Sequence, residues 1–201
     1  AKISSSTARP APVIEAGPAV AERWPERRNL KKYACLQACF FIGPTIMRTL
    51  KILVTGGGSS GHISPALAII QTLRSIAGQP DCDWGLKLLY VGGLQGLEQK
   101  LVEAANVPFV GVETGKLRRY FSRKNFSDAL RVPVGVKQSL EEVRRFGPDV
   151  VVATGGYVAV PPVIAARMLR IPVLIHEQTV QIGLANRIAA RCATRIALSW
   201  E

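Results

Sequence analysis

The sequence predicts an α/β fold, a parallel sheet with helices on both faces. Three observations carry that expectation. From Lys51 onward, short runs rich in Val, Ile and Leu alternate with longer stretches of helical spacing. The runs are apolar throughout, as strands covered on both faces require. The first of them ends in "KILVTGGGSSGHISP" (51–65), a strand that passes through bare glycines into a helix.

The strands expected in chain order are KILVT (51–55), KLLYVG (87–92), FVGVE (109–113), DVVVAT (149–154), PVLIHE (172–177) and TRIALS (194–199). Between them lie helical patterns at 64–78, 96–107, 127–146, 161–169 and 183–192. Ser64-Pro65 opens the first helix and Pro161-Pro162 the fourth, because proline suits a first helical turn, where its missing N–H has no partner to lose. In such sheets ligands bind beyond the carboxyl ends of the strands. The loops there therefore matter most, and three of them are unusual: GGGSSGH, GGYVAVPP and HEQTVQIG.

Bulk properties set the limits. With 201 residues, 48% hydrophobic and 20% charged, the chain can bury a normal core and is not a disordered protein. A formal charge of +12 favours anionic partners, among which nucleic acid, anionic lipid and phosphorylated small molecules all qualify. The four cysteines, Cys35, Cys39, Cys82 and Cys192, form no C-x-x-C pair, which suits a reducing compartment and offers no zinc site. Two histidines, His62 and His176, are too few for a His-rich metal centre, so no metal site is expected. No apolar run reaches the roughly 18 to 20 residues of a membrane span. Residues 1–46 differ from the rest, with Ser, Ala, Pro and Arg in no sustained period. They read as a flexible or non-native extension, and 47–201 as one domain. The chain stops at "IALSWE", just past a strand and without a closing helix, which reads as truncation.

Gly56, Gly58 and Gly61 satisfy G-x-G-x-x-G in the strand-to-helix context that motif needs. A dinucleotide site would also need an acid at the end of the second strand, where Tyr90, Val91 and Gly92 stand. A Walker loop fails because no Lys-Ser/Thr follows the glycines. What remains is shared physics: glycines let a ligand approach backbone N–H groups, and a helix start favours phosphate or a polar sugar. His62 at the loop's end could serve as acid, base or oxygen ligand; the alternative is a capping residue on a tight turn. Gly155-Gly156 forms a second glycine turn before a helix, with Tyr157 offering a hydroxyl or a stacking ring. His176, Glu177 and Gln178 stand together at a strand's carboxyl end, where Glu177 alone would serve equally as a structural carboxylate. Together the three loops would line one crevice for a polyhydroxylated or phosphorylated ligand.

GGGSSGHISPALAI, PDVVVATGGYVAVPPVIAA and IPVLIHEQ, in that order and spacing, resemble the N-terminal domain of the MurG family, from about Met47 to Glu201. These bacterial enzymes, of glycosyltransferase family 28, add N-acetylglucosamine to undecaprenyl-pyrophosphoryl-MurNAc-pentapeptide. The resemblance implies the N-terminal half of a GT-B architecture, in which two Rossmann-like domains face a cleft and the first takes the lipid-linked acceptor. It places Gly58, Ser59, Ser60 and Gly61 against the donor sugar and diphosphate. Gly155, Gly156 and Tyr157 fall on the acceptor side, with His176 and Gln178 among the substrate-binding positions. His62 and Glu177 become the rival catalytic bases. Where the family has His-Glu-Gln-Asn this chain has Thr179 in the last place, a position that helps hold the donor.

The implied reaction is inverting attack of the acceptor C4 hydroxyl on UDP-GlcNAc, a co-substrate, with no cofactor and no metal. A lipid-linked acceptor implies peripheral attachment at the cytoplasmic face of the bacterial cell membrane. KLRRYFSRKNFSDALR (116–131) suits anionic lipid there, with Leu117, Arg118, Arg119, Phe121, Arg123, Lys124 and Phe126 as the expected contacts. The same interleaving would suit single-stranded RNA, but no RNA-binding signature accompanies it, so no nucleic-acid partner is expected. By itself this chain is expected to give no turnover. A membrane-docking subunit that recruits a separate donor-binding chain, and a related GT-B transferase acting on another lipid, are the alternatives.

Overall fold

The computed structural model describes residues 13–15, 48–79, 82, 84–94, 96–115, 123–179 and 183–199, with backbone alone at 13–15 and 123–130. In chain order the elements are β1 (Val13–Glu15), β2 (Arg48–Thr55), α1 (Ser60–Ala77), β3 (Trp84–Gly93), α2 (Glu98–Ala104) and β4 (Phe109–Val112). There follow α3 (Arg123–Phe146), β5 (Val150–Ala153), a 3-10 turn (Tyr157–Ala159), α4 (Val160–Met168), β6 (Val173–Glu177), α5 (Leu184–Ala190) and β7 (Arg195–Leu198).

One seven-stranded sheet holds them in the order β4-β3-β2-β5-β6-β7-β1. Strands β2 to β7 pair in parallel, and β1 lies antiparallel on β7. Val13–Glu15, within the segment read as an extension, thus contributes an edge strand.

The apolar runs are buried because both faces of the sheet are covered. Neighbouring residues of a strand point to opposite faces. On one face Leu53, Val91, Val151 and Ile175 pack with Val143 of α3, Val163 and Ala166 of α4 and Ala189 of α5. On the other, Ile52, Val54, Tyr90 and Val152 pack with Ala66 and Ile70 of α1 and Val102 of α2. Burying one such Val or Leu side chain contributes about 1.5–3 kcal/mol.

From β2 the chain moves outward through β3 to β4, then returns to β5 and moves the opposite way through β6 to β7. The order reverses between β2 and β5, and a crevice opens beyond the carboxyl ends of strands at such a switch. The loops after β2, β5 and β6 issue from three adjacent strands.

Element types match the expectation, while some boundaries differ. Helix α3 begins at Arg123 rather than 127, and β2 and β3 begin earlier than expected. Helix α1 starts at Ser60, so His62 lies in its first turn and Pro65 lies inside it. A helical residue 65 would donate its N–H to the Gly61 carbonyl, and proline has none. That carbonyl instead accepts the Gln178 Nε2–H at 3.1 Å. A side chain from β6's end thus replaces the missing helical bond.

Candidate functional site

Two glycine turns interlock at the switch point. The Gly57 N–H donates to the Gly155 carbonyl at 3.2 Å, and the Thr154 N–H to the Thr55 carbonyl at 2.9 Å. Gly58 and Gly156 have φ of 83° and 82°, the left-handed region that suits glycine. Space demands glycine too: a Cβ on Gly58 would run into the Tyr157 ring, and one on Gly156 into the Gly57 carbonyl.

His62 is anchored where these turns meet. Its Nδ1 lies 3.0 Å from the Thr154 carbonyl oxygen, while the Thr154 hydroxyl donates to the His62 carbonyl at 2.6 Å. The Gln178 amide nitrogen lies 2.7 Å from the same Nδ1. The two contacts ask opposite things of the ring. The Thr154 oxygen can only accept, so it needs Nδ1–H, whereas a bond from the amide needs the Nδ1 lone pair. With Nδ1–H given to Thr154, the Gln178 N–H serves Gly61 and Nε2 keeps a lone pair, the tautomer a base requires.

Glu177 is a different kind of group. It is 3% exposed, and its carboxylate accepts the Thr179 N–H at 2.9 Å, the Thr179 hydroxyl at 2.5 Å and the Asn186 amide at 2.5 Å. Burial pushes its pKa up. The bonds from Asn186 and Thr179, together with the nearby His62 charge, outweigh that and hold the carboxyl below its ordinary value. A carboxylate so satisfied is a poor proton acceptor and a good anchor.

A cleft of about 330 Å³ opens over these groups, lined by Gly57, Gly58, Ser59, His62, Gly156, Tyr157 and Thr179, and by Gly183 to Asn186 at the start of α5. That volume lies at the small end of ligand sites. Among the described residues no group of three or more His, Cys, Asp or Glu side chains could hold a metal ion.

Residues 52–198 match the glycosyltransferase family 28 N-terminal domain. The chain belongs to this family. Similar curated proteins include the UDP-N-acetylglucosamine--N-acetylmuramyl-(pentapeptide) pyrophosphoryl-undecaprenol N-acetylglucosamine transferase of Clostridium botulinum, 40% identical over 150 residues, which are 75% of this chain and 40% of that protein. The transferase 3 of the same name from Bacillus thuringiensis is 42% identical over 151 residues, 75% of this chain and 41% of that protein. Among solved structures, Acinetobacter baumannii MurG superposes with a TM-score of 0.61 at 26% identity, covering 76% of this chain and 41% of that one. This chain therefore spans about 40% of the length of the curated relatives it matches.

In this family 28 domain the three loops named from sequence do meet. Gly58, Ser59, His62, Gly156, Tyr157 and Thr179 line the cleft directly. Gly61, Gly155, Glu177 and Gln178 support it from behind: Gly61 through Gln178, Gly155 against the Asn186 amide, and Glu177 through Thr179 and Asn186. Ser60 is exposed as the first residue of α1, and its carbonyl accepts the Ser64 hydroxyl at 3.2 Å. His176 stands apart, because strand alternation turns it to the face opposite Glu177, with Nε2 3.1 Å from the Ser199 hydroxyl. Asn186 escaped the sequence reading altogether. Its only signal was a glycine, Gly183, opening a helix after the HEQ loop. Of the expected membrane contacts, Leu117, Arg118, Arg119 and Phe121 lie outside the described residues. Arg123, Lys124 and Phe126 are described only as backbone of α3. Among the described residues no helix is long and apolar enough to cross a membrane.

Proposed function

We propose that this chain is the acceptor-side half of a transferase that moves N-acetylglucosamine from UDP-GlcNAc to the C4 hydroxyl of undecaprenyl-pyrophosphoryl-MurNAc-pentapeptide. The names of its relatives support the reaction, and the anchored His62 beside the cleft carries the chemistry. The acceptor oxygen attacks the anomeric carbon, the bond to the diphosphate breaks, and UDP leaves with that electron pair. The hydroxyl proton passes to His62 Nε2, while Nδ1–H stays on the Thr154 carbonyl and fixes the ring. Glu177 is not the base; it holds Thr179 and Asn186 at the cleft wall.

The leaving diphosphate is met by backbone amides without a metal ion. A lipid-linked acceptor places the protein peripherally at the cytoplasmic face of the membrane, with the basic and aromatic segment 116–131 against anionic lipid.

The test is twofold. The chain should bind the muramyl lipid in detergent, and, continued to the length of its relatives, should form the disaccharide lipid from UDP-GlcNAc. Binding to an unrelated polyprenyl-linked sugar in preference, or product formation that survives His62→Ala unchanged, overturns the reading.

A further inference from the structure

Tyr90 stands where a dinucleotide site would need an acid, and the mechanism leaves it unused. It is fully buried near the end of β3, opposite Val54 of β2 and Phe109 of β4, with its ring stacked on Phe109 at 6.0 Å between centroids. Its hydroxyl donates to the Gly56 carbonyl at 2.7 Å. The N–H of that same peptide unit, on Gly57, donates to the Gly155 carbonyl at 3.2 Å. One peptide is thus held at both ends, by β3 and by the turn after β5. The buried Glu98 side chain fills the space beside it, where a Cβ on Gly57 would come within 2.8 Å of Cδ.

This peptide needs holding. It lies between two glycines, so no side chain of its own resists its turning over, and Gly57 has φ 152°, a value that residues with side chains rarely adopt. Gly56 and Gly57 are buried, whereas Gly58 and Ser59, which follow directly, are exposed and lead into Ser60 at the start of α1. The first amides of that helix have no helical acceptor, and its first turn carries no acid. A turn of the buried peptide would redirect this exposed segment. We propose that Tyr90 is a positioning residue, whose hydroxyl latches the Gly56–Gly57 peptide and so keeps the start of α1 aimed at the cleft. In the transfer reaction proposed above, on which this consequence alone rests, the latched amides meet the charge that develops on the departing diphosphate.

The experiment compares the folded chain with Tyr90→Phe, which keeps the ring and its stacking and removes only the hydroxyl. Amide hydrogen exchange reads the latch without any ligand. Exchange of the Gly57 N–H should speed up at least about tenfold more than that of the strand amides of β2 and β5. No change at Gly57, or one acceleration shared by all these amides, as a general loss of stability gives, overturns the proposal. In the chain continued to the length of its relatives, Tyr90→Phe should lower kcat about tenfold and leave KM for UDP-GlcNAc and for the muramyl lipid within about twofold, because the amides act on charge that develops in the transition state. Unchanged kcat, with or without a rise in KM, overturns the positioning role. Should Tyr90→Phe not fold, exchange in the unaltered chain decides: a Gly57 N–H as slow as the β2 amides supports a held peptide, and one as fast as the Ser59 N–H overturns it. Were the continued chain to show no transfer at all, the reaction proposed above would fall, and the exchange result would still decide the latch.

Discussion

His62 Nδ1 lies 3.0 Å from the carbonyl oxygen of Thr154, a residue 92 positions further along the chain. This contact joins the first turn of α1 to the end of β5 across the switch point of the sheet. Made as a bond from Nδ1–H to the Thr154 oxygen, it leaves Nε2 without a proton in the neutral ring. Nitrogen-15 shifts should therefore report Nδ1–H for neutral His62. Replacing it by glutamine should lower transfer about 10²- to 10⁴-fold in the continued chain while acceptor binding holds. An Nε2–H tautomer, or a loss below about tenfold, removes His62 from the role of base.

Glu177 ties stability to pH. Its folded pKa lies below the ordinary 4.5, so its contribution is fully present above that value and is lost as pH falls through the folded pKa. Glu177→Gln should cost about 1–3 kcal/mol at pH 7, since Asn186 and Thr179 lose a charged acceptor. Urea melts of both proteins should converge once pH has fallen below the depressed folded pKa of Glu177. A gap that stays constant with pH argues that the carboxylate charge is irrelevant.

Pro65 and Gln178 form a coupled pair through the Gly61 carbonyl. Gln178→Ala alone takes that oxygen's side-chain donor away and should cost about 0.5–1 kcal/mol. In a Pro65→Ala background the helix can supply its own N–H, so the same change should cost much less. A double-mutant cycle on thermal unfolding measures the difference. Simple additivity would mean that the amide does not stand in for the proline.

Two glycines of the site should answer alanine oppositely. Gly156 has φ 82° and a Cβ there meets the Gly57 carbonyl, so Gly156→Ala should destabilise by at least about 2 kcal/mol. Gly61 lies in α1 with only the Ser59 hydroxyl near, at 3.9 Å, so Gly61→Ala should stabilise the fold by about 0.5–1 kcal/mol. Calorimetry separates the two. If the acceptor also loses affinity in Gly61→Ala, a ligand approaches that backbone.

Much of this molecule is legible in local pattern. Runs such as Ile52-Leu53-Val54 specify strands covered on both faces because every position is apolar, whichever strands lie alongside. The paired glycines at 155 and 156 announce a close approach, since no other residue takes such backbone angles cheaply. Residue type alone could not say what approaches what. His176 and Glu177 are neighbours in sequence and lie on opposite faces, and only the buried one reaches the site. Nothing in the local pattern marks Glu98, which only the tertiary structure buries. The proposal of His62 rather than Glu177 as base, the entry of Asn186 and the replacement of a helical hydrogen bond by Gln178 all rest on contacts between segments distant in the chain. Those contacts exist because the sheet order sets β2, β5 and β6 side by side, and short-range periodicity carries no information about that order.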